Sequence, residues 1–270
     1  MSLKNVEEYW DERPCNIRHS AEPLGTEKYF EEVSYRKYFV EKHIPQFAEF
    51  SSWEGKEVLE IGCGIGTAMH SFAENGANYT GIDLSRKSIE IAEKRVNTFK
   101  LKNVKLYVAN LENLEKEIPI KRYDLIYSFG VLHHTPNEMK SFTELKKFSK
   151  SGTKVKIMLY NRMSTKAISL WVKYGWKVGF SIDRAVALQS EAQYGCPVTR
   201  TYSRNDAQRI SELAGFKLTN VSVDHIFPFS IPDYVKYVYK YKWYWKIVPS
   251  PIFCLLEKKL GWHLMIEGEF

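Results

Sequence analysis

The segment Glu60-Ile61-Gly62-Cys63-Gly64-Ile65-Gly66 is the part of the chain whose residue types and spacing point most directly to chemistry. Three glycines at alternate positions let a ligand approach the backbone where any Cβ would obstruct it. A dinucleotide fold wants G-x-G-x-x-G, so that the N-terminus of the following helix faces pyrophosphate. Here the third glycine comes one place early, and Glu60 is poorly suited to sit beside phosphates. An acid there suits a cationic ligand bearing an amino group and a sulfonium. Asp83 stands about twenty residues further on, where an acid accepts hydrogen bonds from both hydroxyls of a ribose. Taken alone, Asp83 fits a nicotinamide dinucleotide equally well; its combination with Glu60 and the glycine spacing shifts the reading. His133 and His134 are the candidates for moving a proton, because histidine titrates near neutral pH.

Such residues need a frame, and the chain has one. Lys56–Ile61 reads as a short strand running into the glycines. The next segment places Met69, Phe72 and Ala73 at helical spacing and stops at Asn75-Gly76. Asn78–Asp83 is a second strand, and Ser85 caps a helix whose buried stripe is Ile89, Ala92 and Val96. Val104–Ala109 and Tyr123–Ser128 are the third and fourth strands. Thr135-Pro136-Asn137-Glu138 has the form of a capping box, opening a helix with Met139, Phe142 and Leu145 buried. Val155–Tyr160 is a fifth strand. A helix at about Ser203–Ala214 leads to a sixth, Lys217–Val223, and Gly261–Ile266 reads as the last. Strands alternating with helices at this short period predict an α/β fold, a Rossmann-like doubly wound, mostly parallel seven-stranded sheet with helical cap insertions.

E-I-G-C-G-I-G followed by G-I-D-L-S resembles the first motif and following acidic strand of class I S-adenosylmethionine-dependent methyltransferases. Tyr123–Ser128 and Val131-Leu132-His133-His134-Thr135-Pro136 are similar to the fourth-strand region of the small-molecule branch, which includes ubiquinone and menaquinone biosynthesis enzymes. The resemblance covers roughly residues 55 to 160, and 214 to 223 more loosely. It implies S-adenosyl-L-methionine as cofactor, with Glu60, Gly62, Cys63, Gly64 and Gly66 holding the methionine part and Asp83 the ribose. Leu84 would flank the adenine, Leu111 would offer it a backbone N–H, and Phe129 would lie near the sulfonium. Asn110 stands where the family usually has Asp; it keeps an acceptor oxygen for the adenine amino group but gives up a charge-assisted bond. The resemblance suggests an N-terminal helical lid segment, 1–50, ahead of a methyltransferase domain, 51–270. Departures from the strand–helix alternation give that domain cap insertions at about 161–202 and 227–259.

The acceptor is less legible. Methyl transfer is an in-line displacement, so alignment supplies much of the acceleration, and a base is needed only for a hydroxyl or carbon acid. His133 and His134 are placed for that role, with structural packing as the alternative. Arg13, Arg18 and His19 lie in an irregular loop between aromatic clusters and suit an anionic group on an acceptor. Tyr194, Arg200 and Tyr202 join the first insertion to the returning helix. In the second insertion, Tyr234, Tyr237, Val238, Tyr241, Trp245 and Val248 fall on one helical face. Its aromatics, Tyr237 and Tyr241 among them, pack as a cap, wall an acceptor pocket, or meet a membrane surface. The two insertions are expected to pack on each other and on the N-terminal helices.

Composition excludes several classes. The 270-residue chain has no run of about 18 apolar residues, and so no membrane span is expected. Its first residues lack the apolar core of a secretory leader, and the four cysteines have no metal-ligand spacing, which together favour a reducing cytoplasm and no metal. The net charge of +7 is weak evidence for a polyanion, and no nucleic-acid-binding signature accompanies it. The lack of an Asn/Asp-Pro-Pro-Tyr motif at Ser128–Val131 argues against adenine or glutamine N-methylation. The expected function is methyl transfer to an O, N or C atom of a small acceptor, hydrophobic or aromatic with an anionic group. RNA methylation and a non-catalytic cofactor-binding regulator are the alternatives.

Overall fold

Residues 3–189 and 196–270 are described by a computed structural model. Seven strands form one sheet: β1 (Glu57–Ile61), β2 (Asn78–Asp83), β3 (Val104–Val108), β4 (Leu125–Phe129), β5 (Lys154–Tyr160), β6 (Lys217–Asp224) and β7 (His263–Glu269). Their order is β3-β2-β1-β4-β5-β7-β6. The first five pair in parallel, and β7 runs antiparallel to both β5 and β6. The order reverses between β1 and β4, and a doubly wound sheet binds ligands in the crevice at such a switch point.

The central strands are buried on both sides because helices cover both faces of the sheet. One face packs Met69 and Phe72 of the Thr67–Glu74 helix with Ile89 and Ala92 of Arg86–Phe99. The other packs Phe142 and Leu145 of Glu138–Lys147 with Ala207 and Ile210 of Arg204–Ala214. Ser85 caps its helix as expected, accepting the Ser88 N–H at 3.0 Å. Ser203 and Asp206 make a reciprocal capping box.

Three local expectations are corrected. Thr135 does not cap the Glu138–Lys147 helix: its hydroxyl donates to Leu132 O, and Asn137 takes the cap by accepting from Lys140 N at 3.1 Å. Met139 is consequently 64% exposed. The first insertion helix stops at Tyr174 and continues as a 3-10 turn over Gly175–Val178, and Met163 and Trp171 of its expected apolar stripe are exposed.

The third correction is larger. Tyr234–Val248 is not a helix. Tyr237 has φ +61, a left-handed conformation that L side chains rarely adopt, and it ends the turn begun by Ile231–Tyr234. A short Trp243–Lys246 helix follows, then a longer one over Ser250–Leu260. The aromatics still pack on the N-terminal helix Glu27–Val40. The Arg36 guanidinium lies 3.9 Å from the Tyr234 ring and 4.4 Å from Tyr237, and donates to Tyr234 O. The first insertion instead meets the sheet, with Lys166 over the Trp262 ring at 4.4 Å and Ala167 buried against the core. No described helix is long and apolar enough to cross a membrane.

Phe72 is fully buried, with ring centroids of Phe50 at 4.8 Å and Tyr127 at 5.4 Å. Phe72→Ala is expected to lower unfolding free energy by about 3–5 kcal/mol in urea titration. A loss under about 1 kcal/mol would show that this face is not packed as described.

Candidate active site

β1 ends at Ile61, and the chain must turn at once to start the Thr67–Glu74 helix. Gly62, Gly64 and Gly66 all take positive φ, +74, +53 and +77. A Cβ on Gly62 would sit 2.1 Å from Val131 Cγ2, and one on Gly66 would sit 2.6 Å from Met69 Cε. These two glycines let the turn pack. At Gly64 a Cβ would meet nothing within 4 Å.

The turn is pinned to the neighbouring strand. Gly62 and Cys63 donate their N–H groups to Ile82 O at 2.8 and 3.0 Å. Asp83, the last residue of β2, accepts the Gly64 N–H at 2.8 Å on one oxygen and the Ser85 N–H at 2.9 Å on the other. The Ser85 hydroxyl in turn donates to Asp11 Oδ1 at 2.7 Å, which docks the Leu3–Glu12 helix beside the same corner. Glu60 is buried and accepts the Tyr79 hydroxyl proton. Burial pushes its carboxyl up to about 7, and burial likewise pushes Asp83 up to about 6.

These residues open onto a cleft of about 1190 Å³, counting the space at its mouth. Glu60, Gly62, Cys63, Gly64, Asp83 and Leu84 line it, with Asn110 and Leu111. Phe129, His134 and Tyr160 also line it, joined by Trp10 and Lys37 from the N-terminal segment. Gly66 is not in the lining; it starts the helix. Asn110 Oδ1 accepts the Glu112 N–H at 2.9 Å, closing the turn after β3.

The two histidines part company. His134 Nδ1 lies 2.7 Å from Val198 O, so Nδ1 donates and the lone pair falls on Nε2. His133 is fully buried, 3.7 Å from the Tyr160 ring centroid, and does not line the cleft. Its ring nitrogens have no hydrogen-bond partner among the described residues, and burial holds its pKa well below the usual value. It is a packing residue here.

Most of the expected acceptor contacts also lie elsewhere. Arg200 donates to Thr135 O and Pro136 O, fixing the loop that carries His134. Tyr202 is drawn into the core by its bridge to Asn161. Arg13 and Arg18 are exposed, His19 packs near Tyr234 at 6.5 Å, and their loop reaches the cleft through Cys15 and Asn16 instead. Tyr237 donates to Arg18 O, Tyr241 packs on Phe229, and neither lines the cleft. Tyr194 lies outside the described residues. Trp10, Lys37 and Tyr160 were not singled out from sequence. Tyr160 had a usable signal as the last residue of the fifth strand.

A family profile described as "Methyltransferase domain" matches residues 53–215. The chain belongs to this methyltransferase family. The match covers more than half of the chain and includes the glycine turn, Asp83 and the β4 region. Curated relatives include the ubiquinone biosynthesis O-methyltransferases of Coxiella burnetii (strain RSA 493 / Nine Mile phase I) and Dechloromonas aromatica (strain RCB). The first is 30% identical over 109 residues, covering 40% of this chain and 45% of the relative. The second is 33% identical over 111 residues, covering 41% and 47%. The match therefore spans under half the length of these relatives. Among solved structures, magnesium protoporphyrin IX methyltransferase from Synechocystis PCC 6803 with bound S-adenosylhomocysteine superposes with TM-score 0.62. It has 13% identity, over 99% of both chains. Geranyl diphosphate C-methyltransferase from Streptomyces coelicolor A3(2) does so with TM-score 0.59 and 12% identity, over 98% of this chain and 96% of that one. These structures share the fold.

The raised Glu60 and Asp83 carboxyls carry a pH signature. The fold binds their protons more tightly than the unfolded chain does. Their stabilising contribution is therefore complete below the unfolded pKa values and is lost as pH rises through the folded ones. Unfolding free energy of the cofactor-free protein is expected to fall from about pH 4 to about pH 7 on account of these two groups. Glu60→Gln should flatten that fall, and an unchanged slope in denaturant titrations across the range would contradict the burial of Glu60.

Proposed function

We propose that this protein methylates an oxygen, nitrogen or carbon atom of a small, largely apolar or aromatic acceptor that carries an anionic group. The observation supporting this reading is the cleft at the β1–β4 switch point, whose lining combines carboxylates and a glycine turn with Trp10, Phe129, Tyr160, His134 and Lys37.

S-adenosylmethionine, when bound, supplies an electrophilic methyl group on a cationic sulfur. Glu60 and the backbone of Gly62 and Gly64 would hold its amino acid part, and the open space over Gly64 leaves room for that approach. Asp83 keeps acceptor capacity on both oxygens for the ribose hydroxyls, since each takes one backbone N–H and has further lone pairs. Leu84, Asn110 and Leu111 would bracket the adenine. Phe129 would then stand toward the sulfur.

On the acceptor side, aromatic walls exclude water and orient a flat or apolar molecule. Lys37 takes over the electrostatic role expected of Arg13, Arg18 and His19. His134, which lines the cleft, would be the group that takes a proton from an acceptor hydroxyl as the new bond forms. Oxygen is favoured as the acceptor atom because the curated relatives are O-methyltransferases.

Gly64→Val is expected to abolish S-adenosylmethionine binding, since the side chain would project into the cleft from a strained left-handed position. Asp83→Ala should weaken binding by about 1.5–3 kcal/mol. Calorimetric titration with wild-type affinity in both variants would contradict the assignment.

The acceptor class is tested by incubating the protein with cell extract and methyl-labelled cofactor. Label should enter the organic-extractable small-molecule fraction. Label confined to RNA would defeat the proposal.

A further inference from the structure

Beside the cleft, three distant parts of the chain bring a second set of chemical groups together. Glu41 follows the Glu27–Val40 helix, His43 stands two residues later, Asp224 and His225 end and follow β6, and His263 opens β7. Ligand atoms of Glu41, His225 and His263 all lie within 4.8 Å of one another. His263 and His225 are buried, and their ring centroids are 4.6 Å apart. The Glu41 carboxylate also pairs with Lys37, at 3.4 Å through its other oxygen.

The contacts in this cluster orient its rings. His263 Nδ1 and His43 Nε2 share a hydrogen bond of 2.8 Å. The outer nitrogens face carboxylates at longer range: His263 Nε2 lies 3.5 Å from Glu41 Oε1, and His43 Nδ1 lies 3.7 Å from Asp224 Oδ1.

Where His263 Nδ1–H donates to His43, the lone pair of the neutral ring is on Nε2, the atom that faces Glu41. Ligating histidines are commonly oriented by such a bond from the other ring nitrogen. A separate observation concerns His225, which is held at φ +73. A non-glycine residue stays in that region only where its surroundings over-determine it, and such strain gathers at functional sites. We propose that Glu41, His225 and His263 bind a divalent first-row transition-metal ion, with His43 as the positioning residue for His263. Two imidazoles and a carboxylate are ligands suited to zinc or iron(II). The absence of cysteine spacing in the sequence gave no hint of this, because the ligands are contributed singly.

The location bears on function. The Phe129 ring lies 5.3 Å from His263 and lines the cleft. The ion would stand one aromatic ring from the part of the cleft that is proposed to take the acceptor. This last step rests on the methyltransferase reading above; binding of the ion does not.

The test uses the full chain, stripped with a chelator and titrated with zinc against a chromophoric competitor. Cobalt(II) serves as an absorbance probe of the ligand set. One ion per chain is expected, with uptake lost in His263→Ala and His225→Ala and weakened about 10–100-fold in His43→Ala. Glu41→Gln, at a half-buried position, gives the same readout if a histidine variant fails to fold by circular dichroism. His70→Ala, at a histidine paired with Glu74 on another helix, should bind as wild type. Less than stoichiometric uptake by the wild type, or uptake unchanged in Glu41→Gln and His225→Ala, would overturn the proposal. Calorimetry with S-adenosylmethionine on the stripped protein separates the two readings: lost cofactor binding with stoichiometric zinc uptake counts against the methyltransferase assignment and supports the metal site.

Discussion

The Asp83 carboxylate is the interaction on which the site depends. It joins the N–H of Gly64 in the turn after β1 to the N–H of Ser85 at the start of the next helix. Two strand ends are thereby held at one distance, and the ledge between them becomes the floor of the cleft. The Ser85 hydroxyl extends the tie to Asp11, so the N-terminal helix is seated by the same corner. Such a connection needs a short acid at the strand end and a backbone turn with no Cβ in the way. Both requirements are written into the chain as Gly62 to Gly66 and Asp83.

This explains why one half of the site was legible from sequence and the other was not. The proposed cofactor half is local: β1, its turn and β2 are consecutive, so apolar runs, glycine spacing and one acid specify it. The proposed acceptor half is assembled from the ends of β4 and β5 and from helices far earlier in the chain. His133 and His134 are neighbours in sequence, yet a 3-10 turn sends one ring against Tyr160 in the interior and the other to the cleft. No periodicity separates them. Arg200 reads as a surface cation suited to an anion, but its guanidinium is occupied by the Thr135 and Pro136 carbonyls.

The misread elements have physical causes of the same kind. The aromatic stripe from Tyr234 to Val248 obeys helical spacing, but its rings are claimed by Arg36 and Phe229, and Tyr237 adopts a left-handed φ to meet them. Tertiary packing overrode the local pattern. At Thr135 the competing bond was its own hydroxyl to Leu132 O, which closes the preceding turn and passes the cap to Asn137. The histidines and glutamate of the proposed metal site beside Phe129 could not be grouped from sequence at all, because the antiparallel β7 delivers His263 to the same end of the sheet as Asp224 and His225.

On the proposed reading, cofactor and acceptor share this one cleft, which both the Asp83 corner and Phe129 line. A crystal structure of the protein with S-adenosylhomocysteine tests that arrangement most directly. The account predicts both ribose hydroxyls on the Asp83 carboxylate, the amino acid part over Gly64, and the sulfur directed toward Phe129 and His134. A ribose bound away from Asp83, or a sulfur directed away from Phe129, would contradict it.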